Sequence, residues 1–213
     1  MSANVLRINE KQKFNTKYEE KRLYEFISGL IERLLAFIFL MLVFPALILL
    51  MVLIKLEDGG PVVYSQNRVG KDGRLFVIYK MRTMYVNENS DNFIETRQND
   101  NRITKVGKFI RSTRIDELPQ LFNILIGNMK LIGPRPLVEK QIIEYTNELP
   151  EFVDRLVVKP GLTGWAQVNG GNEITPKEKL FFDVEYIKNR GFRIYMKVIF
   201  KTVWVVLSGA GAR

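Results

Sequence analysis

The 213-residue chain contains no cysteine and no histidine. The first absence excludes a disulfide framework, a thiol nucleophile and a thiolate metal site. The second removes the Ser-His and Cys-His nucleophile pairs, the histidine general base and the usual zinc ligand sets. An enzyme made from this sequence works with carboxylates, Lys, Arg, Tyr or hydroxyls, and any metal it uses is a hard one held by oxygen. Internal repeats and low-complexity tracts are also missing. What is plentiful is positive charge, with 32 Lys and Arg against 23 Asp and Glu, a net of +9. That balance points to anionic partners: phosphates, nucleic acid or an acidic membrane face. The length allows one domain with room for an appendage, and enough chain to bury a core.

Charge is missing from one long segment. Leu34 to Ile54 is a run of 21 residues with no charged side chain, bounded by Arg33 and Lys55. A straight helix of that length crosses a bilayer core. Its depth in the chain, and the lack of a small-residue cleavage site after it, argue against a signal peptide. Leu23, Phe26, Ile27, Leu30, Ile31, Leu34, Leu35 and Ile38 extend the apolar pattern upstream at helical spacing. An amphipathic helix is therefore expected from about Tyr18, with Lys17, Lys21, Arg22 and Arg33 near lipid head groups. Pro45 lies mid-run, where it deletes a backbone donor and clashes with the preceding turn. Two readings follow. One is a spanning helix with a tolerated proline kink. In the other, each half (about 16 Å by helix rise) is too short to span, and the helix dips in and returns to the same face. Both flanks are basic, with seven Lys/Arg against five acids in residues 1–33 and 25 against 18 in 55–213. The positive-inside rule then favours the cytoplasmic side for both, by a modest margin. On the residues alone the spanning reading leads.

The alternation in Val62–Val69, the turn Gly70-Lys71-Asp72-Gly73 and the run Leu75–Tyr79 predict a β-hairpin. Asn87 to Asn101 is polar, aperiodic and long for a loop. A short helix is expected around Val106, Phe109 and Ile110, and a second from Glu117 to about Ile126, ended by Gly127-Asn128. Two Pro-rich turns, Gly133-Pro134-Arg135-Pro136 and Lys159-Pro160-Gly161, bracket a helical segment. Helices are expected at Pro176–Arg190 and Phe192–Leu207. In the last, Arg193, Lys197 and Lys201 share one face. It is either a core helix with a solvated stripe or an interfacial amphipathic helix, and Tyr195 and Trp204 favour the interface.

Asp116-Glu117 heads the second of these helices. Capping alone accounts for the pair, since Asp is a good N-cap, Glu suits the first turn and Pro119 is tolerated there. The functional alternative is a carboxylate dyad near Arg111 and Arg114. Such a carboxylate can bind Mg²⁺ or attack phosphorus. Arg68, Lys80, Arg82, Arg111 and Arg135 all sit in or beside turns, where a solvated side chain is the default. Arg135 stands out, because its flanking prolines fix the backbone and pre-organise a guanidinium fork for phosphate. Gly161-Leu162-Thr163-Gly164-Trp165 is a Gly-rich turn that matches neither a Walker loop nor a dinucleotide fingerprint.

Five motifs fall in one order: Gln66-x-Arg68-x-Gly70, Tyr79-Lys80-Met81-Arg82-Thr83-Met84, Ile115-Asp116-Glu117-Leu118-Pro119-Gln120-Leu121, Gly133-Pro134-Arg135-Pro136, and Lys159-Pro160-Gly161-Leu162-Thr163-Gly164-Trp165-Ala166-Gln167-Val168-Asn169-Gly170. In that order and spacing the chain, from about residue 20 to its end, resembles the bacterial sugar transferases known as monotopic phosphoglycosyl transferases. The resemblance implies transfer of a sugar-1-phosphate from a UDP-sugar to a polyprenyl phosphate, with undecaprenyl phosphate the expected acceptor. UMP would be released, and the product would start glycan or exopolysaccharide assembly. By analogy Asp116 would be the nucleophile and form a covalent phosphosugar intermediate, with Glu117 its dyad partner. Mg²⁺ would bridge Asp116 and the diphosphate. Arg111, Arg135, Lys80, Arg82, Arg68 and Gln167 match phosphate- or substrate-binding positions. Phosphoryl transfer is mostly positioning and charge neutralisation, so a site without histidine can run it.

The resemblance also reverses the membrane reading. It implies a re-entrant helix broken at Pro45, with the site on the cytosolic face of the cytoplasmic membrane. The fold expected is then α+β: a Pro-broken re-entrant membrane helix, a small β-hairpin sheet and several short helices, one of them interfacial and amphipathic. The division is a basic leader helix at 1–33, the membrane helix at 34–54 and a catalytic domain at 55–213. Nucleic acid drops out as a partner, and a homodimer is allowed. The sequence departs from the family pattern at Phe44, where Ser commonly precedes the proline, and at Gly171, where many relatives carry Arg. It also has only a short basic leader where large members have an N-terminal membrane domain. The competing classes are a non-enzymatic basic protein of the membrane surface and a membrane hydrolase of nucleotides or phosphates.

Overall fold

A computed structural model describes residues 21–85, 100–171 and 173–208. The leader upstream of residue 21 and most of the polar stretch Asn87–Asn101 lie outside the described residues. Helix α1 (Arg22–Asp58) runs for 37 residues, about 55 Å at 1.5 Å per residue, and Pro45 lies inside it. It ends at Gly59, whose φ of 72° reverses the chain while its N–H closes on Lys55 O.

One stripe of α1 docks along the rest of the molecule. Ala36, Leu40, Val43, Leu47, Leu50 and Ile54 recur at steps of three and four and pack on Ile78, Met81, Ile110, Leu121 and Ile124. Upstream the same stripe turns polar. Glu25 pairs with Arg190 at 2.7 Å, Ser28 Oγ accepts from Lys130 at 2.9 Å, and Glu32 accepts the Leu131 N–H at 2.7 Å. The apolar residues Phe26, Leu30, Leu34, Met41 and Leu42 face away from the protein and are exposed. The outer apolar face and the inner polar anchors invert the pattern of a surface helix in a water-soluble protein. Val43 and Leu47, on either side of Pro45, pack on the same cluster, and the helix continues through the proline.

The hairpin forms as expected. β1 (Val63–Val69) and β2 (Leu75–Met81) pair antiparallel with Val63 opposite Met81 and Val69 opposite Leu75. Asp72 and Gly73 take positive φ in the turn, and the Gly70 N–H donates to Arg74 O. A second, parallel pair, β3 (Lys130–Ile132) with β4 (Gly161–Thr163), has no counterpart in the sequence reading. Strands of three residues are too short for alternation to register. Helix α2 (Lys105–Ser112) is capped by Thr104, whose side chain accepts the Gly107 N–H. Arg114, at φ 58°, turns the chain into a 3₁₀ turn at Ile115–Glu117.

Helix α3 (Gln120–Leu125) therefore starts three residues later than expected. The bonds from Leu118 N–H to Ile115 O and from Leu121 N–H to Leu118 O keep the intervening turn in the tighter i→i+3 form. Asp116 and Glu117 stand on that turn and not at a helix cap. Helix α3 docks on the edge of β2 through Asn123, which donates to Val77 O at 2.7 Å and accepts the Tyr79 N–H at 3.3 Å. Helix α4 (Glu139–Glu148) and a 3₁₀ segment (Pro150–Val157) fill the span between the Pro-rich turns. Helix α5 (Trp165–Val168) follows β4. Helix α6 (Pro176–Lys188) opens on a Thr175–Glu178 capping box. Helix α7 (Phe192–Ser208) buries Ile194 and Val198 in the core and exposes Phe200, Trp204 and Leu207. Of its basic stripe, Lys201 is engaged, lying 4.7 Å from the Trp165 ring centroid and donating to Asn169 Oδ1.

Candidate active site

Three pieces of chain converge on Glu117. Strand β2 brings Lys80, the turn between α2 and α3 brings Asp116-Glu117, and the loop after β3 brings Arg135. Glu117 Oε1 accepts from Lys80 Nζ at 2.8 Å and from Arg135 Nη2 at 2.6 Å, while Oε2 receives Arg135 Nη1 at 3.4 Å. Lys80 Nζ stands 3.9 Å from Asp116 Oδ2. Lys80 thus sits between the two carboxylates and Arg135 forks onto one of them.

The neighbours divide the pair electrostatically. Burial pushes the Glu117 carboxyl up, but Arg135 and then Lys80 outweigh it and hold it well below the usual carboxylate range. At Asp116 burial wins. Lys80 opposes it, the Glu117 charge adds to it, and the carboxyl ends above its usual range. Glu117 is therefore a fixed, saturated anion. Asp116 is the more basic carboxylate, its nearest cation Lys80 at 3.9 Å, and it is not forked by Arg135, which leaves it the better placed of the two to attack an electrophile.

Two more of the expected residues stand close by. Arg111 donates Nε to Thr83 Oγ1 at 2.7 Å, and its charge draws on Asp116. Arg68 donates to Gln66 Oε1 at 2.7 Å and to Pro136 O at 3.4 Å. Burial and the like charge of Arg135 lower its pKa to about 10, which leaves it a cation at neutral pH. The other two are engaged elsewhere. Arg82 is buried and ion-paired with Asp58 at the end of α1. Its Nη1 fills the space where a side chain at Gly60 would sit. Gln167 donates Nε2 to Leu162 O at 3.0 Å and closes its own turn. The sequence reading missed Thr83 as the anchor of Arg111, although it lies within the quoted Tyr79–Met84 motif.

Among the described residues no three acidic side chains cluster. A site with so few carboxylates suits Mg²⁺, which binds through one or two of them and fills its shell with water and substrate phosphate. Glu117's oxygens are taken by Lys80 and Arg135, so Asp116 is the carboxylate of the pair left to serve.

Residues 23–209 match the family model described as bacterial sugar transferase. The chain is 43% identical over 194 residues to the UDP-N-acetylgalactosamine-undecaprenyl-phosphate N-acetylgalactosaminephosphotransferase of Aeromonas hydrophila, covering 90% of this chain and 46% of that protein. It is 39% identical over 175 residues to the UDP-glucose:undecaprenyl-phosphate glucose-1-phosphate transferase of Escherichia coli K12, covering 80% and 38%. It is 40% identical over 171 residues to the undecaprenyl-phosphate galactose phosphotransferase of Salmonella typhimurium, covering 73% and 35%. The chain thus spans less than half the length of these relatives, and their names carry three different sugars. The match over nearly all the described residues, with the Asp116-Glu117 pair at the centre of the converging charges, places this chain in the bacterial sugar transferase family.

Proposed function

We propose that this chain transfers a sugar-1-phosphate from a UDP-sugar to a polyprenyl phosphate, undecaprenyl phosphate by analogy with the named relatives, and so starts a glycan or exopolysaccharide. The observation that carries the reading is the unequal treatment of two adjacent carboxylates. Glu117 is locked by Lys80 and Arg135, and Asp116 is left free to react. An Asp116 carboxylate oxygen attacks the β-phosphorus of the donor. The bond from that phosphorus to the bridging oxygen breaks, and UMP leaves with the electron pair. A phosphate oxygen of the lipid then attacks the aspartyl-bound phosphorus, and Asp116 departs as a free carboxylate. Attack by the carboxylate form of Asp116 needs no general base. Arg135, Arg111 and Arg68 supply fixed positive charge around the phosphates. Mg²⁺, when bound at Asp116, would add charge neutralisation on the diphosphate.

The membrane reading joins this chemistry to a lipid acceptor. Both ends of α1 are tied to the same domain, Glu25 to Arg190 at one end and Asp58 to Arg82 at the other. That arrangement favours both ends on one side of the bilayer, with the outer apolar face of α1 and the exposed Phe200 and Trp204 of α7 in lipid. In this reading α1 enters and returns to the cytosolic face of the cytoplasmic membrane, Pro45 being the point at which it bends.

The test is UMP release from a panel of UDP-sugars with polyprenyl phosphate in detergent or nanodiscs. Release that depends on Mg²⁺ and falls about 10³-fold or more in Asp116→Asn is the expected result. A labelled sugar phosphate should be trapped on the wild-type protein and not on the variant. Release of free sugar phosphate without lipid product would instead assign a hydrolase, and no release with any donor would reject the reading.

A further inference from the structure

Arg135 is mounted on a loop that is gripped in an unusual way. Pro134 and Pro136 offer no N–H, so the segment cannot pair as an ordinary strand. Its four successive carbonyls instead each take a donor from elsewhere. Pro134 O accepts the Gly161 N–H at 3.0 Å and Leu137 O accepts the Val69 N–H at 2.9 Å. Pro136 O receives Arg68 Nη1 at 3.4 Å, and Arg135 O receives Arg155 Nη2 at 3.0 Å.

The Arg155 grip is the odd one. Its side chain is 1% exposed, and both Nε and Nη2 lie 2.8 Å from Oδ2 of Asp183 on α6, itself 2% exposed. The guanidinium stands 5.0 Å from the Phe152 ring centroid, beside a buried cluster that includes Val69, Leu137 and Leu156. Replacing such a pair with apolar residues is often neutral or stabilising. Stability of the core therefore does not explain a charged pair here, whereas the bond to the Arg135 carbonyl does. A small cavity lined by Gly70, Pro134, Arg135, Arg155 and Pro160 lies beside the loop.

We infer that Arg155 and Asp183 are positioning residues for the transfer. Asp183 orients Arg155, Arg155 fixes the backbone of Arg135, and Arg135 is thereby held in its fork on Glu117. The inference rests on the transfer reading above, and it adds two buried residues, 28 positions apart in the chain, to the machinery of the site. A misplacement of about 1 Å at a substrate-positioning group can cost on the order of 10²-fold in rate.

The decisive variant is the double replacement Arg155→Met with Asp183→Leu, which removes the pair and leaves no unpaired buried charge. Its melting temperature is expected near that of the wild type. Its crystal structure is expected to show Arg135 displaced from Glu117, and kcat/KM for UMP release should fall about 10²-fold. In an Arg135→Ala background the same double replacement should cost almost nothing more, because both changes act through one group. A merely structural role would give additive losses. Should the double replacement not fold, Asp183→Asn, which keeps an acceptor for Arg155, is expected to give a smaller loss with the same non-additivity. An unmoved Arg135–Glu117 contact, or full additivity, overturns the inference. The crystal structure judges it without reference to activity, whereas an inactive wild-type protein would count against the transfer reading.

Discussion

Asp116 and Glu117 are neighbours with the same functional group, and their surroundings make them different reagents. Lys80 is the shared element, 2.8 Å from one carboxylate and 3.9 Å from the other. Lys80→Met is expected to lower kcat for UMP release by about 10²–10³-fold, the scale for losing one preorganised charge-stabilising group. Glu117 also makes a stability prediction. Its folded carboxyl titrates below the ordinary value of 4.5, so the unfolded state binds more protons in that range. The ionised Glu117 thus stabilises the fold above about pH 4.5, and that contribution is lost as the pH falls toward the folded value. Denaturant unfolding of the metal-free protein between pH 7 and pH 3 should show the loss, and Glu117→Gln should remove that part of the pH dependence. Both carboxylates were legible in the sequence as a candidate dyad. The family resemblance assigned attack to Asp116, but the fork that holds Glu117 was not legible, because it depends on Arg135 reaching Glu117 from 18 residues away.

At the scale of elements, α1 and α3 are each placed by side chains that periodicity alone would assign otherwise. The sequence marks Leu23, Phe26, Leu30 and Leu34 as an apolar helix face, which in a water-soluble protein would be the buried one. The structure turns that face outward and docks the Glu25–Ser28–Glu32 stripe instead, because Arg190, Lys130 and the Leu131 N–H wait opposite it. Leu42, 75% exposed, faces lipid in the proposed membrane arrangement. Leu42→Arg is expected to leave the melting temperature within about 2 °C, as surface changes do, and to weaken binding to anionic liposomes in a flotation assay by about tenfold or more. Helix α3 is held to β2 by Asn123, which satisfies one donor and one acceptor of the strand edge. Asn123→Leu should destabilise the protein by about 1–3 kcal/mol, measured by denaturant unfolding, because it leaves both part-buried edge groups without this partner.

For the whole molecule, the +9 charge and the apolar helix must be reconciled in one orientation. The two ends of α1 meet the same domain, so single cysteines introduced into this cysteine-free chain at Asn4 and at Lys71 should both label from the cytoplasmic side only. Labelling from opposite sides would reject the re-entrant arrangement. The amino-acid sequence by itself determined the reagents and their order: no histidine or cysteine, an acidic pair among arginines, a charge-free run of 21 residues, a hairpin and the five motifs that mark the family. These are local or compositional properties, carried by residue type and short-range spacing. Tertiary structure alone decided which carboxylate Arg135 forks onto, which face of α1 looks outward, and that Arg155 and Asp183 sit beneath Arg135. Those facts rest on contacts between residues as far apart as Glu25 and Arg190, 165 positions along the chain. Helical or strand periodicity, whose reach is a few residues, carries no record of such pairings.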